Sequence, residues 1–231
     1  MSLLAAIGHR LGLALLPARC LVCGEAGSGG QDLCEACREA MPFNRVACWR
    51  CALPLVAAGV CGTCVQTPPP FAASRAAFVY AFPVDGLLPR LKFRGDLAAG
   101  RLMSQLMVEA FAGAPRPAAL VPVPLHPSRL RQRGYDQALE LARPLASALA
   151  LPLHADALRR VRATGAQSEL DAASRAHNVR GAFFARAGQL PGHVALVDDV
   201  MTTGATLAEC TRALHRAGVA RVEVWVAARV P

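Results

Sequence analysis

A chain of 231 residues with 54% hydrophobic side chains can hold one ordinary domain with a real core plus a smaller module. Its formal charge of +9 rests on 24 Arg and one Lys, and beyond residue 65 there are 20 basic residues against 12 acidic ones. That balance favours anionic partners, phosphorylated metabolites or nucleic acid, although Arg beside abundant Ala also fits a bias in genomic base composition, and no run of 18 uninterrupted apolar residues suggests a membrane span.

The first residues, 1–19, are apolar but broken by His9 and Arg10. They lack a charged start and a small-residue cleavage site, so an amphipathic helix packed on the body is expected rather than a signal peptide. A cytoplasmic protein follows as the expectation.

Residues 20–66 are poor in regular periodicity and rich in Cys and Gly. Eight of the nine cysteines form four C-x-x-C pairs: Cys20 and Cys23, Cys34 and Cys37, Cys48 and Cys51, Cys61 and Cys64. Without a secretory signal these read as metal ligands in a reducing compartment rather than as disulfides. Each pair places two thiolates on one knuckle, and two knuckles complete a tetrahedral Zn²⁺ shell. Similar loop lengths favour sequential pairing, with Cys20, Cys23, Cys34 and Cys37 on one ion and Cys48, Cys51, Cys61 and Cys64 on the other. Interleaved pairing and an iron–sulfur cluster stay open. A closed four-thiolate shell is structural, and it stabilises a segment too small to fold on its own core. Trp49, at a knuckle tip, could stack on a base or pack on its own ribbon. Cys210, alone in an expected helix, reads as a small core residue.

Thr67-Pro68-Pro69-Pro70 marks an extended linker over 67–75. Beyond it, over 76–231, elements alternate: a strand at 76–82, a helix at 97–112, a short buried strand at 119–123, and a helix at 137–150 that Pro144 should kink. A strand at 194–197, a helix at 205–217 and a final strand at 221–227 complete the series. This alternation predicts an α/β fold with a mostly parallel sheet covered by helices on both faces. Ligands of such sheets bind beyond the carboxyl ends of the strands.

The run from Val194 to Thr206 is the most informative. An apolar strand ends in Asp198 and Asp199, then turns through Val200, Met201, Thr202, Thr203, Gly204, Ala205 and Thr206 into a helix. Amide groups of such a turn and helix start face an anion, Gly204 allows close approach, and two carboxylates can hold a ribose diol or a metal-bound water. The run resembles the PRPP (5-phosphoribosyl 1-diphosphate) signature of type I phosphoribosyltransferases.

Three further stretches extend the likeness: Leu91-Lys92-Phe93-Arg94-Gly95, Val121-Pro122-Val123-Pro124-Leu125-His126 leading to Arg133-Gly134-Tyr135-Asp136-Gln137, and Thr164, Gln167, Arg175 and Asn178-Val179-Arg180-Gly181-Ala182-Phe183. With the four Cys pairs, in this order, they resemble the ComF family, a zinc ribbon followed by a type I phosphoribosyltransferase domain. The resemblance implies that Asp198 and Asp199 take the ribose hydroxyls, directly or through Mg²⁺. Thr202, Thr203, Gly204, Ala205 and Thr206 would cradle the 5-phosphate. Pro124 and Arg133 would approach the diphosphate, Lys92 would join them, and 164–178 would supply part of a hood. It also implies a link to DNA uptake, with single-stranded DNA and proteins of the competence machinery as partners. One departure is visible: the family usually has Asn where Asp136 stands. A carboxylate is unwelcome beside a diphosphate, so Asp136 is read as a weak site candidate that can instead cap the next helix.

Plainer readings stand beside these. Lys92 and Arg94 could be solvated charges on a turn. Arg129, Arg131 and Arg133 could form an exposed basic face, His126 before Pro127 is more structural than catalytic, and Gln167 and Asn178 could tie loops together. No general base stands out, so a phosphoribosyl transfer enzyme and a non-catalytic module that binds single-stranded DNA or regulates are both carried forward.

Overall fold

The computed structural model describes residues 18–162, 179–188 and 190–231. The expected helix before residue 18 and the hood candidates Thr164, Gln167, Arg175 and Asn178 lie outside the described residues.

Four strands form one parallel sheet in the order β1 (Ala73–Val79), β6 (Arg221–Arg229), β5 (His193–Met201), β2 (Ala119–Pro122). Their sequences are apolar on both faces, as a sheet covered twice requires. Side chains alternate between two cores. Ala195, Val197, Trp225 and Ala227 face one core, while Val194, Leu196, Val224 and Val226 face the other.

Three helices cover the first face: α3 (Val84–Arg94), α4 (Leu97–Phe111) and α6 (Gln137–Leu149). The second face carries α7 (Ala205–Arg216) and an antiparallel hairpin of β3 (Leu158–Arg160) and β4 (Phe183–Ala185). Asp96 caps α4 by accepting from Ala99 N–H at 3.1 Å. Pro144 does not split α6, which runs on to Leu149. Pro144 is exposed, so the Glu140 carbonyl it leaves unpaired within the helix lies on the solvent-facing side.

The cysteine region has no comparable core of its own. It carries two short helices, α1 (Glu35–Glu39) and α2 (Gly62–Gln66), each rising from a knuckle. Its first unit is fastened to the helices by polar contacts. Arg38 Nη1 pairs with Glu109 Oε2 at 2.7 Å, and Arg90 donates to the Leu21 carbonyl at 2.6 Å. Its second unit lies along the sheet, where Ser74 N–H donates to Trp49 O at 3.0 Å.

Candidate functional site

Strand β5 brings the two carboxylates to the carboxyl end of the sheet. It runs past its expected end at Val197 and on to Met201. Asp198 pairs across from Val226 and Val200 from Ala228, so both carboxylates leave from ordered, hydrogen-bonded backbone. A short Thr202-Thr203-Gly204 turn then enters α7. Gly204 adopts φ +76°, a left-handed conformation that costs other residues about 1–2 kcal/mol. A β-carbon there would meet Met201 Sδ at 3.4 Å, an ordinary contact, so it is the backbone conformation that favours glycine. The amide groups at the start of α7 are thus presented at the mouth of the sheet.

One cleft gathers nearly all of the sequence-derived candidates: Lys92, Pro124, Arg133, Asp198, Asp199, Thr202, Thr203, Gly204, Ala205 and Thr206. Its cavity volume of about 90 Å³ is below the range of about 300–1,000 Å³ usual for small-molecule sites.

The acidic pair is electrically asymmetric. Both carboxylates are buried. Burial and the adjacent Asp199 charge push Asp198 well above the ordinary carboxylate range. Burial acts on Asp199 in the same sense, but the Lys92 ammonium, the Asp198 side chain and the Val200 amide together outweigh it and hold Asp199 low. Lys92 Nζ lies 3.2 Å from Asp199 Oδ2. The contact is an ion pair rather than a directed hydrogen bond, for Oδ2 is buried with no partner in hydrogen-bonding geometry. That oxygen can accept from a ribose hydroxyl. Two hard carboxylates beside a phosphate site also suit Mg²⁺, which takes one or two carboxylates and completes its shell with phosphate and water. Lys92 would have to share Asp199 with the ion.

The cleft's other wall is basic. Arg133 donates to Gln137 Oε1 and lies over the Phe93 ring, 5.8 Å from its centroid. Arg129, Arg160 and Gln137 line the cleft as well. Arg160 was not singled out from sequence. It sits on a three-residue strand, too short to carry a pattern, and stacks over Phe183 at 5.4 Å. Burial and nearby Arg129 lower its pKa.

Other candidates fall elsewhere. Arg94 is exposed beside Phe82, and Arg131 is exposed outside the cleft. His126 caps α5 (Pro127–Arg133) by accepting from Ser128 N–H at 3.3 Å. Asp136 is a cap: its Oδ1 accepts from Ala138 and Leu139 N–H, at 3.0 and 3.2 Å. Its Oδ2 accepts from Leu125 N–H at 2.8 Å, tying α6 to the strand-end loop of the cleft. Glu209 on α7 accepts from Gly181 N–H at 3.0 Å, which anchors the R-G-A-F stretch to the helix that follows the Thr202-Thr203-Gly204 turn. Cys210 is fully buried in the core behind that loop.

The eight remaining cysteines form two clusters in sequential pairing. Cys20, Cys23, Cys34 and Cys37 gather in one and Cys48, Cys51, Cys61 and Cys64 in the other, with sulfurs within 4.8 Å of one another. Burial raises the first thiol of each cluster, but amide donors outweigh it. Amides of Cys34, Cys23 and Val22 bring Cys20 down to about 6, and those of Cys61, Cys51 and Arg50 bring Cys48 to about 6. Cys23, Cys37, Cys51 and Cys64 are pushed up by burial and neighbouring thiols, so it is the gathered four-sulfur donor set that fits Zn²⁺.

Comparison with known proteins agrees with this geometry. The model of the double zinc ribbon domain matches residues 12–65, and that of the phosphoribosyl transferase domain matches residues 136–231. The DNA utilization protein YhgH of Salmonella typhi is 37% identical over 204 residues, covering 85% of this chain and 90% of that one. YhgH of Escherichia coli K12 is 33% identical over 222 residues, 93% of this chain and 98% of that one. Competence protein F of Haemophilus influenzae is 33% identical over 225 residues, 91% and 96% of the two chains. The chain belongs to the ComF family. In this ComF-family chain the parallel sheet carries the phosphoribosyltransferase domain, and the two four-cysteine clusters support structural Zn²⁺. Among the described residues no helix is long and apolar enough to cross a membrane.

Proposed function

We propose that this protein binds PRPP, or a related 5-phosphoribosyl ligand, with Mg²⁺ in the cleft at the end of β5, and transfers the phosphoribosyl group in the handling of DNA taken up by the cell. The observation that carries this reading is the charge layout of that cleft. Lys92, Arg129, Arg133 and Arg160 line it with Asp198 and Asp199, and Asp198 is biased towards its neutral form. A net positive cleft with a helix start and one ionised carboxylate suits a ligand that is polyanionic at its ends and hydroxylated in its middle.

In this reading the turn amides and Thr hydroxyls from Thr202 to Thr206 hold the 5-phosphate. Asp199 accepts from a ribose hydroxyl. Arg133, Arg160 and Lys92 neutralise the diphosphate as charge develops on departure from C1. Mg²⁺ would be held on the ionised Asp199 and, once the ion displaces its proton, on Asp198, and would add Lewis-acid stabilisation of the same leaving group. The relatives' names, DNA utilization protein and competence protein, support a role linked to DNA use and competence; a cytoplasmic location and competence-machinery partners belong to the same proposal. The division into a ribbon at 20–66, a linker at 67–75 and a transferase-like body at 76–231 belongs to the same proposal.

Calorimetry with PRPP and Mg²⁺ tests it. The wild type should bind, and Asp199→Ala and Thr203→Val should each weaken binding at least tenfold, about 1.4 kcal/mol. No binding at millimolar ligand ends the reading. A second reading, a non-catalytic single-stranded-DNA binder, is favoured by Trp49, which is 63% exposed on a zinc knuckle. Salt-sensitive DNA affinity that survives Asp199→Ala and falls with Trp49→Ala would select it.

A further inference from the structure

The second four-cysteine cluster does not stand apart from the phosphate loop. Four successive carbonyls of its first knuckle are each taken by a donor outside the knuckle. Trp49 O accepts from Ser74 N–H at 3.0 Å, and Arg50 O from Ser74 Oγ at 2.9 Å. Cys51 O accepts from Arg229 Nε at 2.9 Å, and Ala52 O from Asn44 Nδ2 at 2.8 Å. Arg229, at the end of β6, reaches in two directions. Its Nη1 donates to Met201 O at 3.3 Å, and that carbonyl also accepts from Val230 N–H at 3.0 Å. Met201 is the last residue of β5, immediately before Thr202. One guanidinium therefore joins the backbone of a thiol-bearing residue to the backbone from which the phosphate loop springs.

The space around this link is shared too. A cavity of about 430 Å³ is lined in common by Cys61 and Cys64 of the cluster, by Thr203 and Gly204 of the loop, and by Arg229. Phe71, at the end of the proline run, is buried and packs toward Gly204. The first cluster has no such neighbours among the described residues. Its contacts run to Arg90 on α3 and to Glu109 on α4, through Leu21 and Arg38.

We propose that Arg229 is a positioning residue that couples the second four-cysteine cluster to the phosphate loop. An ion held by Cys48, Cys51, Cys61 and Cys64 fixes the knuckle, the knuckle carbonyl fixes the guanidinium, and the guanidinium fixes Met201. The coupling is reciprocal by linkage, so an anion seated in the loop also tightens metal retention in the second cluster and leaves the first unchanged. The ligand arm of this proposal rests on the phosphoribosyl reading above; the loop arm does not.

Hydrogen exchange at amides 201–206 of the full chain, loaded with zinc, reads the loop arm. Arg229→Met and Cys64→Ser should each speed exchange there about tenfold. Cys37→Ser, which breaks the first cluster, should leave it unchanged. The double variant Arg229→Met with Cys64→Ser should be no faster than either single one, because both cut the same chain of contacts. Wild-type exchange in Arg229→Met, equal loosening by Cys37→Ser and Cys64→Ser, or additive singles would each overturn the coupling. Should Cys64→Ser fail to fold, zinc release to a chromophoric chelator from the wild type decides the same question. Ribose 5-phosphate should slow one of two release phases about tenfold, and should slow neither in Arg229→Met. If calorimetry shows no ribose 5-phosphate bound to the wild type, the phosphoribosyl reading fails, and the exchange data still decide the coupling.

Discussion

Replacing Lys92 by Met removes the cation that keeps Asp199 ionised while leaving a side chain of similar length. At 3.2 Å, and with an effective dielectric constant of about 20, the direct attraction is about 5 kcal/mol. The ammonium side chain is 35% exposed, so solvent screening and the cost of ordering a lysine reduce that figure to about 3 kcal/mol. A second limit comes from the carboxylate itself. Without Lys92, burial and Asp198 favour neutral Asp199, and a proton bound at pH 7 against an unfolded pKa near 3.9 costs about 4 kcal/mol. At pH 5 the same escape costs only about 1.5 kcal/mol. Because Asp199 is held low in the native protein, the stability it lends is present at neutral pH and fades as acid protonates it. The deficit of Lys92→Met should therefore be about 3 kcal/mol at pH 7, roughly 9 °C in midpoint for a chain of this size. At pH 5 it should be no more than roughly 4 °C. Differential scanning fluorimetry across that range measures both. Adding Asp199→Asn should restore most of the loss at pH 7. A deficit that does not change with pH, or a double variant as unstable as the single one, would refute the assignment of Lys92 as the counter-charge of Asp199.

Four further outcomes follow from the backbone, the caps and the cysteine clusters. Gly24, which follows the second Cys of the first knuckle, sits at φ +82° with open space where a β-carbon would go, so Gly24→Ala should cost about 1–2 kcal/mol of backbone strain and lower the melting midpoint. Its counterpart Ala52 holds φ +54° while buried; in Ala52→Gly the relieved strain and the lost methyl burial, each about 1 kcal/mol, should leave the midpoint nearly unchanged. Asp136→Asn keeps one acceptor where two are used, so chemical denaturation should show a loss of about 1–3 kcal/mol. Burial raises the pKa of Asp136, so the native protein loses stability as pH rises from about 4 through that raised value, and the deficit of the non-titrating Asn variant should shrink over the same window. Elemental analysis should find two zinc ions per chain, and a strong chelator should expose residues 18–66 to protease before the sheet.

The features legible in the sequence were those made by neighbours in the chain. A C-x-x-C pair closes its own knuckle, and an apolar run followed by Asp198, Asp199 and a turn at Gly204 is likewise a local pattern. Hydrophobic runs of both-face burial were enough for the parallel sheet. Boundaries were less legible where polar residues continue a buried element. Strand β5 passes through Asp198 and Asp199 to Met201 because β6 supplies hydrogen-bonding partners on through Arg229, whatever the local polarity. Helix α3 was read only as a charged motif, since Gly86 and Pro89 lie inside it; four buried side chains, Val84, Leu87, Leu88 and Leu91, hold it against the core.

The residues that escaped sequence reading share a property: each acts on backbone or charge far away in the chain. Arg160 belongs to a strand whose partner lies more than 20 residues on and gains its place in the cleft only when that hairpin folds over the sheet. Arg229 looks like one more basic residue of the last strand, yet it donates to Cys51, 178 positions earlier. Asp136 was legible as a helix cap, which its bonds from Ala138 and Leu139 bear out, but its second oxygen also accepts from Leu125, 11 positions earlier, and no local pattern carries that contact. In a fold whose ligand site is assembled at a sheet end, such contacts decide how rigid the loops are, and loop rigidity sets how much of the binding free energy is lost to ordering.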